Sequence, residues 1–64
     1  RDEVKVVFQV NGKMRGDAMV ARDADQAEVE TVAREHARVA PHLEGKTIRK
    51  VIYVPGRILN FVAN

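Results

Sequence analysis

Six basic residues in two segments of the chain could bind phosphate groups. They are Lys13, Arg15, Lys46, Arg49, Lys50 and Arg57. An arginine guanidinium presents a planar fork of N–H donors that suits phosphate oxygens, whereas a lysine ammonium acts as a point charge. Any one of them could simply be a solvated side chain or protect a sheet edge. As a set, they predict a surface for a polyanion.

The charge of the chain is unevenly distributed along its length. Residues 45–64 contain four basic residues and no acidic one, whereas residues 23–44 contain six acidic residues and two basic ones. The net charge of +2 therefore conceals a charge of −4 on one stretch and +4 on the next. Segregation of this kind creates a local electrostatic field whatever the net charge is.

Aromatic residues are few, and this limits how a nucleic acid could be bound. Tyr53 could face outward, whereas Phe8 and Phe61 are expected in the core. A module that stacks successive single-stranded bases on aromatic rings is therefore disfavoured. Recognition of folded RNA through its shape, phosphates and sugars is favoured.

The other residues that could carry chemistry lack partners at the required spacing. Residues 45–47 (GKT) look like the end of a phosphate-binding loop, but Ala40 stands where that loop needs its first glycine. His36 and His42 are six residues apart and lack the i, i+4 spacing of a helical metal pair. The chain contains no cysteine and no serine. We therefore expect no catalytic residue, no metal site and no cofactor in this chain.

Length and composition indicate one small domain. A chain of about this size buries only about 60% of the surface of its unfolded form, so a binding module is favoured over an enclosed active site. The absence of cysteine is consistent with a reducing compartment, and the apolar runs are too short to span a membrane. Because the chain begins with Arg1 and not methionine, we expect residues 1–64 to be one domain of a longer protein.

The first part of the chain predicts a β-hairpin. Residues 3–10 alternate between apolar and polar side chains as a strand does, and Asn11-Gly12 marks a turn. The apolar pattern favours a three-residue loop over residues 10–12, because charges then stay off the core face. This register places Phe8 opposite Met14, Val6 opposite Gly16 and Val4 opposite Ala18, with Lys13, Arg15 and Asp17 pointing away from the core.

The middle of the chain predicts a helix. Asp25 and Glu28 have the spacing of a capping box, which starts a helix over residues 26–35. Its inner stripe would consist of Val29, Val32, Ala33 and His36. A short helical turn over residues 37–43 would follow, limited by Pro41 and ended by Gly45.

The last part predicts a second hairpin. Residues 46–54 are rich in β-branched side chains, residues 54–57 (VPGR) suit a type II turn, and residues 58–62 form a fourth strand. The resulting fold class is α+β. It is a small ββαββ domain with one main helix, plus the short helical turn, packed on a four-stranded mixed sheet. We expect a β-grasp-like arrangement in which the first and last strands are adjacent and parallel.

Two strings match a family pattern in order and spacing. Residues 10–16 read VNGKMRG, and residues 44–56 read EGKTIRKVIYVPG, followed by RILNFV over residues 57–62. With these motifs the chain resembles the C-terminal domain of bacterial-type leucyl-tRNA synthetases over essentially its whole length. It departs from that pattern at Arg57, where lysine is commoner, and at Asp25, where serine is frequent.

The resemblance implies a noncatalytic domain of a class I synthetase. The parent would use ATP and Mg to activate leucine, esterify it to tRNA and hydrolyse mischarged product in a separate editing domain. A flexible linker would join this domain to the rest of the enzyme, which we expect to be cytoplasmic and monomeric. The domain would bind the elbow of tRNA-Leu near the base of the long variable arm. By position, the basic motifs of the family fall on Lys13, Arg15, Lys46, Arg49, Lys50 and Arg57.

A second interpretation comes from a different functional class. The chain could be a ubiquitin-like protein-interaction module with no RNA role, which would use an exposed edge strand or an apolar patch. Its binding would persist at high salt, whereas binding to RNA phosphates weakens as salt rises.

Overall fold

The computed structural model describes residues 2–64 and shows a four-stranded sheet with helices packed on one face. The elements are β1 (Glu3–Val10), β2 (Lys13–Ala21), α1 (Gln26–Glu35), α2 (Ala40–Leu43), β3 (Ile48–Val54) and β4 (Ile58–Ala63). The strand order is β2-β1-β4-β3; β1 and β4 are parallel and the other pairs are antiparallel. The predicted ββαββ architecture, with its first and last strands adjacent and parallel, is confirmed.

The core lies between the sheet and α1. Phe8 of β1, Leu59 and Phe61 of β4, and Val29 of α1 are completely buried. Each of these large side chains contributes about 1.5–3 kcal/mol through its removal from water. The expectation for the two phenylalanines is confirmed. Tyr53 is half-buried and packs against this core, so the suggestion that it faces outward is wrong.

Helix α1 begins where the capping box predicted. The Asp25 carboxylate accepts the Glu28 backbone N–H at 2.9 Å, and the Glu28 carboxylate accepts the Asp25 N–H at 3.0 Å. Val29 is buried on the inner stripe, whereas Val32 is 39% exposed, so its assignment to that stripe is wrong. Positions four apart, such as residues 29 and 33, share the sheet-facing side of the helix, and residue 32 is rotated off it.

The turn of the first hairpin is shorter than predicted. Val10 pairs with Lys13, so the loop consists of Asn11 and Gly12 alone. Their φ values of 54° and 82° are those of a type I′ turn, which matches the twist of the flanking strands.

The extra residue of this hairpin lies in β2 and not in the loop. Gln9 pairs with Met14 and Phe8 pairs with Gly16, which leaves Arg15 in a β-bulge. The predicted pairing of Phe8 with Met14 is therefore wrong, and the observed pairs continue as Val6–Ala18 and Val4–Val20. The bulge places apolar residues of the two strands opposite each other. The sequence pattern alone assigns this effect to a longer loop.

The second half of the chain follows the prediction with shifted bounds. Helix α2 is shorter than the expected helical turn, β3 begins two residues later than expected, and β4 extends one residue further. The β3–β4 turn has Gly56 at φ 72°, and the Arg57 N–H donates to the Val54 carbonyl at 3.0 Å. Both features fit the predicted type II turn.

Candidate nucleic-acid interface

The strand directions bring five of the six predicted basic residues to one end of the sheet. Val10 pairs with Phe61 in the parallel β1–β4 ladder, so the β1–β2 turn lies beside the end of β4. Ile48 pairs with Ala63 in the antiparallel β3–β4 ladder, so β3 begins at the same end. We call this end the basic end; it carries Lys13, Arg15, Lys46, Arg49 and Lys50.

Arg57 lies at the opposite end, which we call the turn end and define by residues 54–57. Its carbonyl accepts the Val7 N–H at 2.8 Å, which places it beside the middle of β1. The six steps along the strand from Arg57 to Ala63 span about 20 Å at the usual rise per residue. The expectation of one surface for all six basic residues is therefore wrong for Arg57. Its role in binding stays a prediction.

Carboxylates do not neutralise the basic end in the part of the chain that the structure describes. The salt bridges found there join Lys5 to Asp17 at 3.7 Å, Arg22 to Asp2 at 3.4 Å and Arg34 to Glu30 at 3.6 Å. None of these pairs contains one of the six predicted residues. The capping acids of α1 follow the far end of β2, so they lie away from Lys13 along the sheet.

Two asparagines fix the β1–β2 turn against β4. The Asn60 side-chain oxygen accepts the Gly12 N–H at 3.0 Å, and the Asn11 side-chain oxygen accepts the Ala63 N–H at 2.9 Å. The left-handed backbone of Asn11 is one that asparagine tolerates well. These bonds explain the asparagines of the VNGKMRG and RILNFV strings. They hold the β1–β2 turn, which precedes Lys13, beside β4.

Another set of hydrogen bonds fixes the start of β3. Thr47 and Asn64 exchange two backbone hydrogen bonds, at 2.8 and 3.1 Å. Arg49 Nε donates to the Asn64 side-chain oxygen at 2.8 Å. The next residue, Lys50, is exposed on the sheet face that lies away from the helices. At the start of β3, the guanidinium is therefore held in place, and the adjacent ammonium points to solvent.

A groove beside the bulge adds residues that sequence reasoning did not select. It has a volume of about 280 Å³ and is lined by Met14, Arg15, Gly16, Asp17, His36 and Arg38. Arg15, expected to point away from the core, is half-buried in this groove. Lys13 is exposed, but it pairs with the core residue Val10 and lies on the helix side of the sheet, so its predicted orientation is also wrong. Asp17 pairs with Val7 and points away from the core, as predicted. Arg38 was missed because it lies in the acidic stretch of the sequence.

His36 closes one side of the groove. Its Nδ1 accepts the Arg38 backbone N–H at 3.0 Å, so the ring proton lies on Nε2, which donates to the Asp17 carbonyl at 3.0 Å. The ring also packs edge-on against Phe8, with 5.9 Å between centroids. His36 therefore joins the end of α1 to β2 and fixes the backbone of Arg38.

Gly16 is the sequence signal that could have revealed this contact. A Cβ at residue 16 would lie 2.9 Å from His36 Cε1, which is closer than packed atoms approach each other. The second glycine of the VNGKMRG string is therefore needed because the imidazole lies directly over it.

Residues 2–64 contain no group of three or more His, Asp or Glu side chains that could hold a metal ion. Neither helix in that range is long and apolar enough to cross a membrane.

Known proteins resemble this chain over a small part of their own length. No protein-family model matches it. Leucine–tRNA ligases of Nitrosomonas eutropha, Trichormus variabilis and Vibrio vulnificus are 50%, 57% and 54% identical over 62, 61 and 63 residues. These matches cover 97%, 95% and 98% of this chain and 7% of each relative.

Solved structures include a chain with the same fold. It belongs to the ternary complex of Agrobacterium radiobacter K84 agnB2 LeuRS with tRNA and LeuAMS. The match has a TM-score of 0.91 and covers 98% of this chain and 8% of that chain, at 21% identity.

These relatives define the class as a small domain of an aminoacyl-tRNA synthetase, and the solved structure shows the same fold. Within that class the chain belongs to the leucine–tRNA ligase family, and the resemblance to the C-terminal domain of leucyl-tRNA synthetases is confirmed. It spans about 7% of the length of the curated relatives that it matches.

Proposed function

We propose that this domain is a noncatalytic tRNA-binding module of a leucine–tRNA ligase. Its basic end would bind the elbow of tRNA-Leu, near the base of the long variable arm. The observation that carries the proposal is the exposure of Lys13, Lys46 and Lys50 at one end of the sheet, outside every salt bridge of residues 2–64. Such cations neutralise phosphates and release counterions, which provides affinity without base readout.

The proposal extends to the rest of the parent enzyme. Other domains would activate leucine with ATP and Mg, transfer it to tRNA and edit mischarged product, while this domain holds the tRNA in place. A flexible linker would join it to a monomeric, cytoplasmic enzyme of protein biosynthesis. The relatives named leucine–tRNA ligase support this role, as does the similar fold in a solved LeuRS–tRNA complex.

A pair of charge-reversal variants of the full-length ligase tests the basic end. Lys46→Glu with Lys50→Glu changes the charge at the basic end, and Lys5→Glu with Arg22→Glu makes the same change at two exposed basic residues outside the predicted set. We expect the first variant to raise the Kd for tRNA-Leu on the order of tenfold and to lower the salt slope by about two. The control variant should change the Kd and the salt slope far less.

Steady-state leucylation gives a second readout of the same variants. Loss of uniform tRNA binding should raise the KM for tRNA-Leu and leave kcat nearly unchanged. Circular dichroism of both variants checks that the fold is kept. Equal losses in the two variants would mean that only the overall charge matters, and unchanged binding in the first would remove the basic end from the interface.

Footprinting of tRNA-Leu tests where the domain docks. Backbone cleavage in the D and TΨC loops should be suppressed by the full-length enzyme and restored when this domain is deleted. If deletion of the domain changes the protection of a different part of the tRNA, the domain docks there and not at the elbow.

The protein-interaction alternative rests on apolar side chains of the helix-free sheet face. Ile52 and Val54 of β3 are 41% and 39% exposed there. If the parent enzyme captured a protein partner at high salt through these residues, with tRNA binding unaffected by the basic-end variant, the alternative would replace the RNA role.

A further inference from the structure

We infer that the groove beside the β2 bulge is a second contact for the RNA backbone, in which Arg15 and Arg38 bind one phosphate and His36 positions Arg38. The inference rests on the proposed function and deepens it. It adds to the basic end two residues, Arg38 and His36, that lie beyond the strands, where α1 ends.

Arg15 supplies the first observation. Within the described residues, its Nε is buried and has no hydrogen-bond partner. Buried N–H donors are nearly always satisfied in folded proteins, and an unsatisfied one needs an explanation, such as a bound ion. A phosphate in the groove would meet the guanidinium charge, and a rotation of the half-buried Arg15 side chain would let Nε donate to a phosphate oxygen.

Arg38 supplies the second cation from the turn between α1 and α2. It is exposed and lines the same groove, although residue 38 is 23 positions from Arg15 in the sequence. Neither arginine takes part in a salt bridge of residues 2–64. Two arginines from separate segments therefore border one groove, and guanidinium groups suit the charge and the oxygens of a phosphate.

Asp17 is the acidic residue that lines this groove, and its carboxylate has another partner. The carboxylate lies 3.7 Å from the Lys5 ammonium, and both side chains belong to the helix-free face of the sheet. The Asp17 carbonyl receives the His36 Nε2–H. Asp17 therefore serves the groove through its backbone, and Lys5 balances its charge.

The size of the groove fits a nucleotide backbone and not only a small ion. Its volume of about 280 Å³ is many times what one water molecule needs, and the groove is open to solvent. A phosphate with part of its flanking sugars can therefore enter, with the guanidinium groups around the phosphate.

Single-charge variants of the full-length ligase test the groove. Arg38→Gln should raise the Kd for tRNA-Leu about three- to tenfold and lower the slope of log Kd against log salt by about one. Arg22→Gln removes one charge from an arginine remote from the groove and should leave the slope unchanged. Arg38→Lys keeps the charge without the fork, so it should retain the slope and lose only part of the affinity.

A methylphosphonate scan of tRNA-Leu identifies the phosphate. Neutralising the bound phosphate should weaken the wild-type enzyme more than it weakens Arg38→Gln, in which Arg15 alone still contacts that phosphate, whereas other positions should affect both alike. If no position shows this pattern, the arginines attract RNA only through long-range electrostatics, and the groove is not a phosphate site.

His36 is tested as a positioning residue by two variants that divide its hydrogen bonds. Asn places an acceptor near the position of Nδ1 and can still hold the Arg38 N–H, whereas Gln keeps only a donor near the position of Nε2. His36→Asn should therefore retain the wild-type salt slope, and His36→Gln should lose about one from it. Equal slopes in the two variants would reduce His36 to a packing role.

The outcomes separate this inference from the proposed function. If Arg38→Gln keeps the wild-type affinity and salt slope while the Lys46/Lys50 variant loses affinity for tRNA-Leu, the groove is not a phosphate site but the tRNA-binding role stands. If neither variant loses affinity, both the groove inference and the proposed function are wrong. Weaker binding of Arg38→Gln with an unchanged salt slope would also overturn the groove, because no phosphate contact would have been removed.

Discussion

The basic end and the turn end of the sheet are stabilised by different kinds of interaction. At the turn end, Pro55 and Gly56 set the backbone angles, and among residues 2–64 no side-chain hydrogen bond reaches residues 54–57. At the basic end, the side chains of Asn11, Asn60 and Asn64 add hydrogen bonds to those of the backbone. The geometry of the cations at the basic end therefore depends on side chains that meet only in the completed fold.

Replacement of Phe8 by alanine would break this comparison, because both ends depend on the same core. Phe8 is completely buried in the central strand β1 and supports the ring of His36. We expect the free energy of unfolding to fall by about 3–5 kcal/mol, measured by denaturant unfolding. Met19→Ala, at a residue that is 56% exposed, is the control and should change the same quantity by less than about 0.5 kcal/mol. A similar loss in the two variants would contradict the assigned core.

Replacement of Gly16 by alanine would affect the basic end alone. The added methyl group meets the His36 ring at 2.9 Å, and overpacking of this kind should lower the free energy of unfolding by about 1–3 kcal/mol. His36→Ala in the same chain removes the clash, so the double variant should lose less than the sum of the single losses. Additive losses would show that Gly16 is required for some other reason.

Replacement of Asn60 by alanine has the smallest expected effect and gives the sharpest contrast between the two ends. Loss of its bond to the Gly12 N–H should lower the free energy of unfolding by about 1 kcal/mol. In native-state hydrogen exchange, the Gly12 amide should exchange faster, while the Arg57 amide, bonded to Val54, should keep its rate. Equal acceleration at both amides would mean that Asn60 stabilises the whole domain and not the β1–β2 turn in particular.

The elements and their order could be predicted from sequence because their signals are local. The Asp25–Glu28 capping box marks the start of α1, and Asn11-Gly12 and Pro55-Gly56 mark the turns. The register of the first hairpin could not be predicted. The predicted partner of Phe8 is Met14 and the observed partner is Gly16, which is two residues further along the chain. A register shift of two residues keeps every side chain on the same face of the sheet. The apolar pattern alone therefore cannot distinguish a longer loop from a bulge within the strand.

The candidate site could be predicted only in part for a related reason. Lys13, Lys46 and Lys50 stand out by charge, and the strand order brings them to one end of the sheet. The contribution of Arg38 depends on a contact between His36 and Gly16, which are 20 residues apart. The sequence near either residue gives no signal of that contact. Arg38 also lies in a stretch with a net negative charge, so it does not stand out as part of a basic surface.

The parallel pairing of β1 with β4 has a consequence for synthesis on the ribosome. Because Phe8 pairs with Leu59, the centre of the sheet joins residues separated by about fifty positions. Until residues 58–63 leave the exit tunnel, the nascent chain has only the β1–β2 hairpin on which α1 can pack, and the half-core of Phe8 stays open to solvent. Folding of this domain therefore waits until its last strand is available, and the basic end forms only when folding is complete.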